Sequence, residues 1–326
     1  GLSAETKALI STYRDQDQKA DIDWADQVQR AAQLQPLVAD GEAVLELAVD
    51  QSADAEVRIS GWLLTKILGD DVVQDDENGP QIGQGTAADR IISVTDPEMR
   101  HGRKSRSQLF NGYKVSVSTD LDSDMILDIG DVSARGSDGQ HLLPVIRRTE
   151  TETGVTVEQA MADGAYGSGE NLAACAEYPP HPVDLVTPGQ RVADPVVHKT
   201  AFTIDLEART ATCPSGQTVA GKERHDQKGR STLLFQFDRA GCEQCPLFAR
   251  CVQSKKHGRT VQTTAHEAYL QAQRQRQQDP DYQEQYRLRG RVERKIAELA
   301  YHGLRETRYL GEPKRQLQRL GLGAAV

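Results

Sequence analysis

The feature that most constrains the fold is a change of apolar period along the chain. Over residues 113–119 apolar and polar side chains alternate with period two, and residues 125–132 form a second strand-like run. The acidic turn Asp120-Leu-Asp-Ser-Asp124 lies between them, so the two runs predict a hairpin. On either side the period is helical. Leu9, Ile10 and Tyr13, then Trp24, Val28, Ala31 and Ala32, mark apolar stripes, and Leu63, Leu64, Ile67 and Leu68 mark a helix closed by Gly69. Residues 1–70 therefore read as a helical segment. Residues 71–111 read as a linker and basic loop, mobile over the Asp-, Gly- and Gln-rich stretch 70–89.

After the hairpin, Ser137 or Asp138 opens a helix carrying Leu142, Leu143, Val145 and Ile146. Residues 154–163 read as a strand broken by Gly164. A strand, a helix and another strand predict a parallel pair with a right-handed crossover. Ser168 caps a helix over 169–178, which the pair Pro179-Pro180 stops. Residues 183–264 are turn-rich with short strand-like runs at 201–206 and 232–237. Residues 265–326 are helical, interrupted at Asp279-Pro280. The fold class is α/β, with a first core part at 112–182, a β-rich insert at 183–264, and C-terminal helices at 265–326 completing the core.

Net charge changes sign along the chain. It is −11 over residues 1–90, −7 over 91–190 and +9 over 191–326, within a total of −9. Such a drift is either a solvated surface or a basic C-terminal third that meets a polyanion. No run of about 18 apolar residues is present, which excludes a membrane-spanning helix. The N-terminus is neither basic nor followed by an apolar stretch, so a secretory signal is not expected and the location expected is cytoplasmic. The first residue is Gly rather than Met, and the chain reads as a piece of a longer one.

Three groups of residues are candidates for chemistry. Asp163 ends a predicted strand and precedes Gly-Ala-Tyr; it is either a turn-former or a carboxylate held at the crevice where ligands bind in open α/β folds. Tyr286, Arg289 and Glu293 fall at i, i+3 and i+7, on one helix face that Ile296 and Ala300 extend towards a core. That face is either a solvated ion pair or a carboxylate able to share a divalent cation with a strand-end partner, Mg²⁺ preferring such oxygen ligands. Cys213, Cys242, Cys245 and Cys251 form C-x28-C-x2-C-x5-C, leaving Cys175 over. In a reducing compartment this spacing points to a metal, Zn²⁺ or iron–sulfur, or to inert buried thiols. Two basic clusters, 100–106 with Arg103 and Lys104, and 303–315, add cations suited to phosphate.

Taken in order, these pieces resemble a bacterial insertion-sequence transposase of the DDE class. The resemblance rests on residues 92–104 (Ile-Ser-Val-Thr-Asp-Pro-Glu-Met-Arg-His-Gly-Arg-Lys) and Phe110-Asn-Gly-Tyr-Lys114. It continues through Asp163-Gly-Ala-Tyr166 and the cysteine segment to Tyr286-x2-Arg289-x3-Glu293 and residues 303–309. It implies an RNase H-like mixed sheet and three carboxylates around two divalent ions, Mg²⁺ or Mn²⁺. Asp163 matches the second acid and Glu293 the third. Tyr286 and Arg289, with Arg103, Lys104 and Lys114, are the implied DNA contacts. The family signature ends on a lysine where this chain has Ala300, with Lys295 and His302 nearby. The first acid is expected upstream of Gly1, and Asp50 and Asp96 are lookalikes within the chain.

The activity implied is DNA cleavage and strand transfer at transposon ends, with transposon-end and target DNA as partners. A homodimer when active, a nucleoid-associated location, a structural Zn²⁺ on the four cysteines and no membrane partner complete the expectation. Two alternatives remain: a DNA-binding remnant that does not cut, and a zinc-stabilised interaction module.

Overall fold

Local chemistry sets the first helices. In the computed structural model, which describes residues 4, 7, 8, 11, 23, 25–46, 53–75, 79–84, 89–104, 107–189 and 192–326, α1 (Gln27–Val44) starts where the Asp26 carboxylate accepts from the N–H groups of Val28 and Gln29. In the same way, Asp54 accepts from Glu56 and Val57 at the start of α2 (Ala55–Asp71). Leu9, Ile10, Tyr13, Trp24 and the lookalike Asp50 lie outside the described residues. Val28 is exposed rather than core.

Within the stretch read as a mobile linker, the described residues 72–75 and 79–82 form strands. β1 (Val72–Asp75) and β2 (Gly79–Ile82) pair antiparallel, and β3 (Arg100–Arg103) pairs with β4 (Leu109–Gly112). Gly79, the first residue of β2, has φ +74°, which a side chain would strain. The Phe110 ring lies across Gly102 on the facing strand, filling the place of its missing side chain. Composition suggested flexibility, but cross-strand pairing governs.

β5 (Lys114–Thr119) and β6 (Ile126–Val132) form the expected hairpin. α3 (Leu142–Thr153) follows a short 3₁₀ turn at Asp138–His141 and buries Leu142 and Ile146. β7 (Gln159–Met161) is much shorter than the run 154–163. α4 (Gly169–Ala176), capped by Ser168 accepting from the Asn171 N–H, leads to β8 (Asp184–Val186). The parallel pair is β7 with β8 across α4, not the hairpin strand with β7. Among the described residues the β5–β6 and β7–β8 ladders are separate two-stranded sheets, and no single mixed sheet of the RNase H kind joins them.

The turn-rich segment contains two three-stranded antiparallel sheets. One holds β9 (Thr203–Asp205), β10 (Thr210–Thr212) and β11 (Thr218–Ala220). The other holds β12 (Lys222–His225), β13 (Ser231–Gln236) and β14 (Thr260–Gln262). Two short helices, α5 (Arg239–Glu243) and α6 (Phe248–Cys251), stand between β13 and β14. Then follow α7 (Glu267–Arg276), α8 (Pro280–Arg287), α9 (Arg289–Tyr301) and α10 (Glu312–Ala325). Asp279 accepts from the Asp281 N–H and Pro280 takes the first turn of α8, where its missing N–H costs nothing.

The chain divides into two compact units. The first comprises Gly1–Val115, Asp131–Arg135 and Thr307–Gln318; the second comprises the rest. In the first unit Arg315 is almost fully buried, its Nε 2.9 Å from Asp131 and an amino group 2.7 Å from Glu98. Its guanidinium lies 3.6 Å from the centre of the Tyr113 ring, and the Tyr113 hydroxyl donates to Asp96. Asp96, a lookalike for the first acid, is thus 2% exposed and committed to this ion cluster. The second unit has two apolar cores. Leu142, Ile146, Leu172, Val183 and Leu185 make one; Phe202, Ala211, Phe235, Phe237 and Val261 make the other, inside the insert. Cys175, left over from the cysteine pattern, is fully buried in the first of these cores, and burial pushes its thiol up to about 11.

Candidate active site and cysteine cluster

Asp163 stands two residues beyond the end of β7. The ladder runs one step further, the Ala162 N–H donating to the Val186 carbonyl at 2.9 Å, and then the chain turns. Asp163 Oδ1 accepts from the Ala165 N–H at 2.8 Å, and its carbonyl accepts from the Tyr166 N–H at 3.1 Å. The turn-forming role is therefore real, and it occupies one carboxylate oxygen. The turn also needs Gly167, because a Cβ there would stand 2.9 Å from the Pro188 carbonyl. The other carboxylate oxygen, Oδ2, lies 3.9 Å from the guanidinium of Arg289.

Arg289 in turn lies 2.5 Å from the Glu293 carboxylate one helical turn on. The second and third expected acids thus approach one cation, all within the second unit. Asp163 and Glu293 keep about half of their side-chain surface (46% and 56%), so both remain open to a ligand. Tyr286 joins them from the last turn of α8. The three residues span two helices, but Leu288 at the joint keeps helical dihedrals (φ −60°, ψ −22°), which preserves the shared face. Burial raises the Tyr286 hydroxyl above its usual range; Arg289 opposes this and Asp163 adds to it. Tyr166 is pushed up to about 12 by burial, then by Asp138 and Asp163.

A buried polar hub behind this face escaped the sequence reading. Thr187, directly after β8, is fully buried, and its hydroxyl donates to the Asp163 carbonyl at 2.7 Å. The Thr187 N–H donates to the Tyr282 hydroxyl at 2.8 Å, and that hydroxyl donates back to the Thr187 carbonyl at 2.8 Å. Gln273 of α7 and Gln277, which follows it, donate to the same carbonyl at 2.5 and 3.1 Å. One residue therefore ties the strand end bearing Asp163 to α8, one turn before Tyr286. Tyr282 four residues before Tyr286 was the only signal in the sequence.

At the other end of the face, Arg291 donates to the Leu121 carbonyl in the β5–β6 turn. Leu299 is fully buried, while Ile296 and Ala300 are half-buried. Of the substitutes for the missing lysine, Lys295 contacts Glu298 at 3.3 Å and His302 is exposed at the end of α9. Arg103, Lys104 and Lys114 belong to the first unit; Arg103 and Lys104 are exposed and Lys114 is half-buried.

The four cysteines converge. Cys213, Cys242, Cys245 and Cys251 line one cavity of about 30 Å³ in the insert. Two of the sulfurs accept backbone hydrogen bonds, Cys213 from the Gln217 N–H at 3.3 Å and Cys245 from the Leu247 N–H at 3.4 Å. The Ser215 hydroxyl stands 2.9 Å from the Cys245 sulfur. Burial pushes the Cys251 thiol up, with Arg259 opposing and the other three thiols adding to the shift. Among the described residues, however, no three His, Cys, Asp or Glu side chains already stand at metal-ligating spacing, in this cavity or around Asp163.

Residues 212–326 match the model of the transposase DDE domain family. The matched stretch runs from the end of β10 through all four cysteines and the helix of Glu293 to residue 326, and does not include Asp163. No curated protein and no solved structure matches the chain. No helix among the described residues is long and apolar enough to cross a membrane.

Proposed function

We propose that this chain carries the second and third acids of a transposase that cleaves DNA and transfers strands at insertion-sequence ends. Asp163 and Glu293 would hold Mg²⁺ or Mn²⁺, which at such a site polarises phosphoryl oxygens and activates the attacking hydroxyl or water. Arg289 and Tyr286 would seat the phosphate backbone beside them. The positive C-terminal third, with Arg103, Lys104 and Lys114, would supply the sequence-independent part of affinity. A structural zinc on Cys213, Cys242, Cys245 and Cys251 belongs to this reading, as does action as a homodimer.

The observation that carries the reading is the approach of Asp163 and Glu293 to one guanidinium, from a strand end and a helix far apart in sequence. A plain surface ion pair needs only the i, i+4 half of that arrangement. The test is strand cleavage and joining on transposon-end DNA in the intact protein with Mg²⁺ or Mn²⁺. Asp163→Asn and Glu293→Gln should each abolish cleavage while leaving DNA affinity in place. Full activity in either variant refutes the assignment. DNA binding with no cleavage by the unaltered protein would favour the remnant.

A further inference from the structure

The insert's cavity has a feature that four inert thiols do not explain. Arg259 lines it together with the cysteines, and its Nε is buried without a hydrogen-bond partner. The rest of the guanidinium is fixed: one amino group donates to the Cys251 carbonyl at 3.1 Å and the other to the Val197 carbonyl at 3.1 Å, with the Phe202 ring 5.8 Å away. A buried cation with an idle donor beside four sulfurs is costly if those sulfurs are neutral. It is favourable if they are anionic.

Zinc makes them so. A Zn²⁺ ion bound by four cysteines displaces four thiol protons, and the centre then carries net charge −2. The backbone N–H donors of Gln217 and Leu247 and the Ser215 hydroxyl are already directed at two of the sulfurs. Each is a second-layer partner of the kind that steadies a thiolate.

We infer that Cys213, Cys242, Cys245 and Cys251 bind one Zn²⁺ as a full tetrathiolate, and that Arg259 is its built-in counter-charge, donating Nε–H to a thiolate sulfur. The inference rests on the zinc reading of the insert and adds to it the partner cation, Arg259. The centre joins the turn after β10 to the helices between β13 and β14, the two halves of the insert's small core.

The test is metal analysis of the purified full chain, with cobalt substitution as a second readout. About one equivalent of zinc is expected, falling several-fold in Cys245→Ser. The cobalt form should show the intense thiolate-to-metal charge transfer of four sulfurs. Arg259→Met should still load but should surrender its metal to a chelator roughly 10- to 100-fold faster, as lost second-layer partners do. Iron in place of zinc, no bound metal, or a cobalt spectrum of fewer than four sulfurs overturns the tetrathiolate. If the tetrathiolate stands and Arg259→Met releases metal at the unaltered rate, the counter-charge alone is overturned. The cobalt spectrum needs no variant, so a misfolded Cys245→Ser protein leaves the question decidable.

Discussion

The hub around Thr187 gives the sharpest prediction, because Tyr282→Phe removes one oxygen and little else. Tyr282 is 7% exposed, Gln273 5% and Thr187 fully buried, so water cannot replace what is lost. The Thr187 carbonyl keeps Gln273 and Gln277 as donors. The Thr187 N–H has the Tyr282 hydroxyl as its acceptor and becomes a buried orphan. An orphaned buried donor costs about 1–3 kcal/mol, so about 2 kcal/mol is expected. For a unit of this size that corresponds to a fall in Tm of roughly 4–8 °C.

Calorimetry or circular dichroism on the full chain measures this, and a fall below about 2 °C would show that the hub is not structural. A second readout separates stability from the site. Thr187 holds the Asp163 carbonyl, so a loosened Thr187 should weaken Mn²⁺ binding, followed by electron paramagnetic resonance of the free ion, by about tenfold, as outer-layer partners of metal ligands do. Tyr286→Phe is the control one turn away: its half-buried hydroxyl should leave stability within about 0.5 kcal/mol. Asp163→Asn should abolish Mn²⁺ binding and leave the free-ion signal at full intensity; if it does not, the metal reading fails and the Tyr282 result is one of stability alone.

Other outcomes follow from the ion pairs. Glu267 is buried between Lys199 at 2.7 Å and Arg274 at 2.5 Å. Burial alone would raise its carboxyl, but the hydrogen bond and charge of Lys199, then the bond from Arg274, outweigh it and hold it below the usual range. A depressed folded value stabilises above the unfolded pKa near 4.3 and loses its effect as pH falls through the folded value, so Glu267→Gln should cost about 3–5 kcal/mol at pH 7, and urea titrations should show that gap closing below about pH 4. Arg289→Ala should reduce the slope of log affinity for DNA against log salt by about one, in filter-binding or anisotropy titrations, and an unchanged slope would remove Arg289 from the DNA contacts.

How much of this was legible beforehand depended on the range of the interaction. The hairpin at 113–132, the cap at Ser168 and the break at Asp279-Pro280 are set by neighbours in sequence, and residue type displayed them. The β1–β2 ladder was missed because Asp, Gly and Gln favour turns, and the β3–β4 ladder because its residues read as a basic loop; in both, cross-strand pairing overrode local preference. The parallel partner of β7 was misassigned because periodicity finds strands and is silent on their neighbours. Within the candidate site, helical spacing put Tyr286, Arg289 and Glu293 on one face, and the resemblance gave them their proposed roles. Thr187 and Arg259 were not, since a lone Thr after a short strand and a lone Arg after a Gly carry no pattern. Their roles come from contacts made 24 to 95 residues away.

Arg289 is where the two readings of the helix face meet. As a solvated i, i+4 pair with Glu293 it would be worth a few tenths of a kcal/mol and would explain nothing further. Its approach to Asp163 changes the problem, because carboxylates brought towards one point repel each other unless a cation stands between them. A guanidinium can serve as that cation, but so can a divalent ion, which carries twice the charge and accepts oxygen ligands from several directions. The two cannot occupy the same space. Loading of the metal would therefore free Arg289 from the carboxylates, and a freed guanidinium beside a metal-bound phosphate has an obvious anion to turn to. On this reasoning the ion pair and the DNA contact are successive positions of one side chain rather than rival descriptions of it.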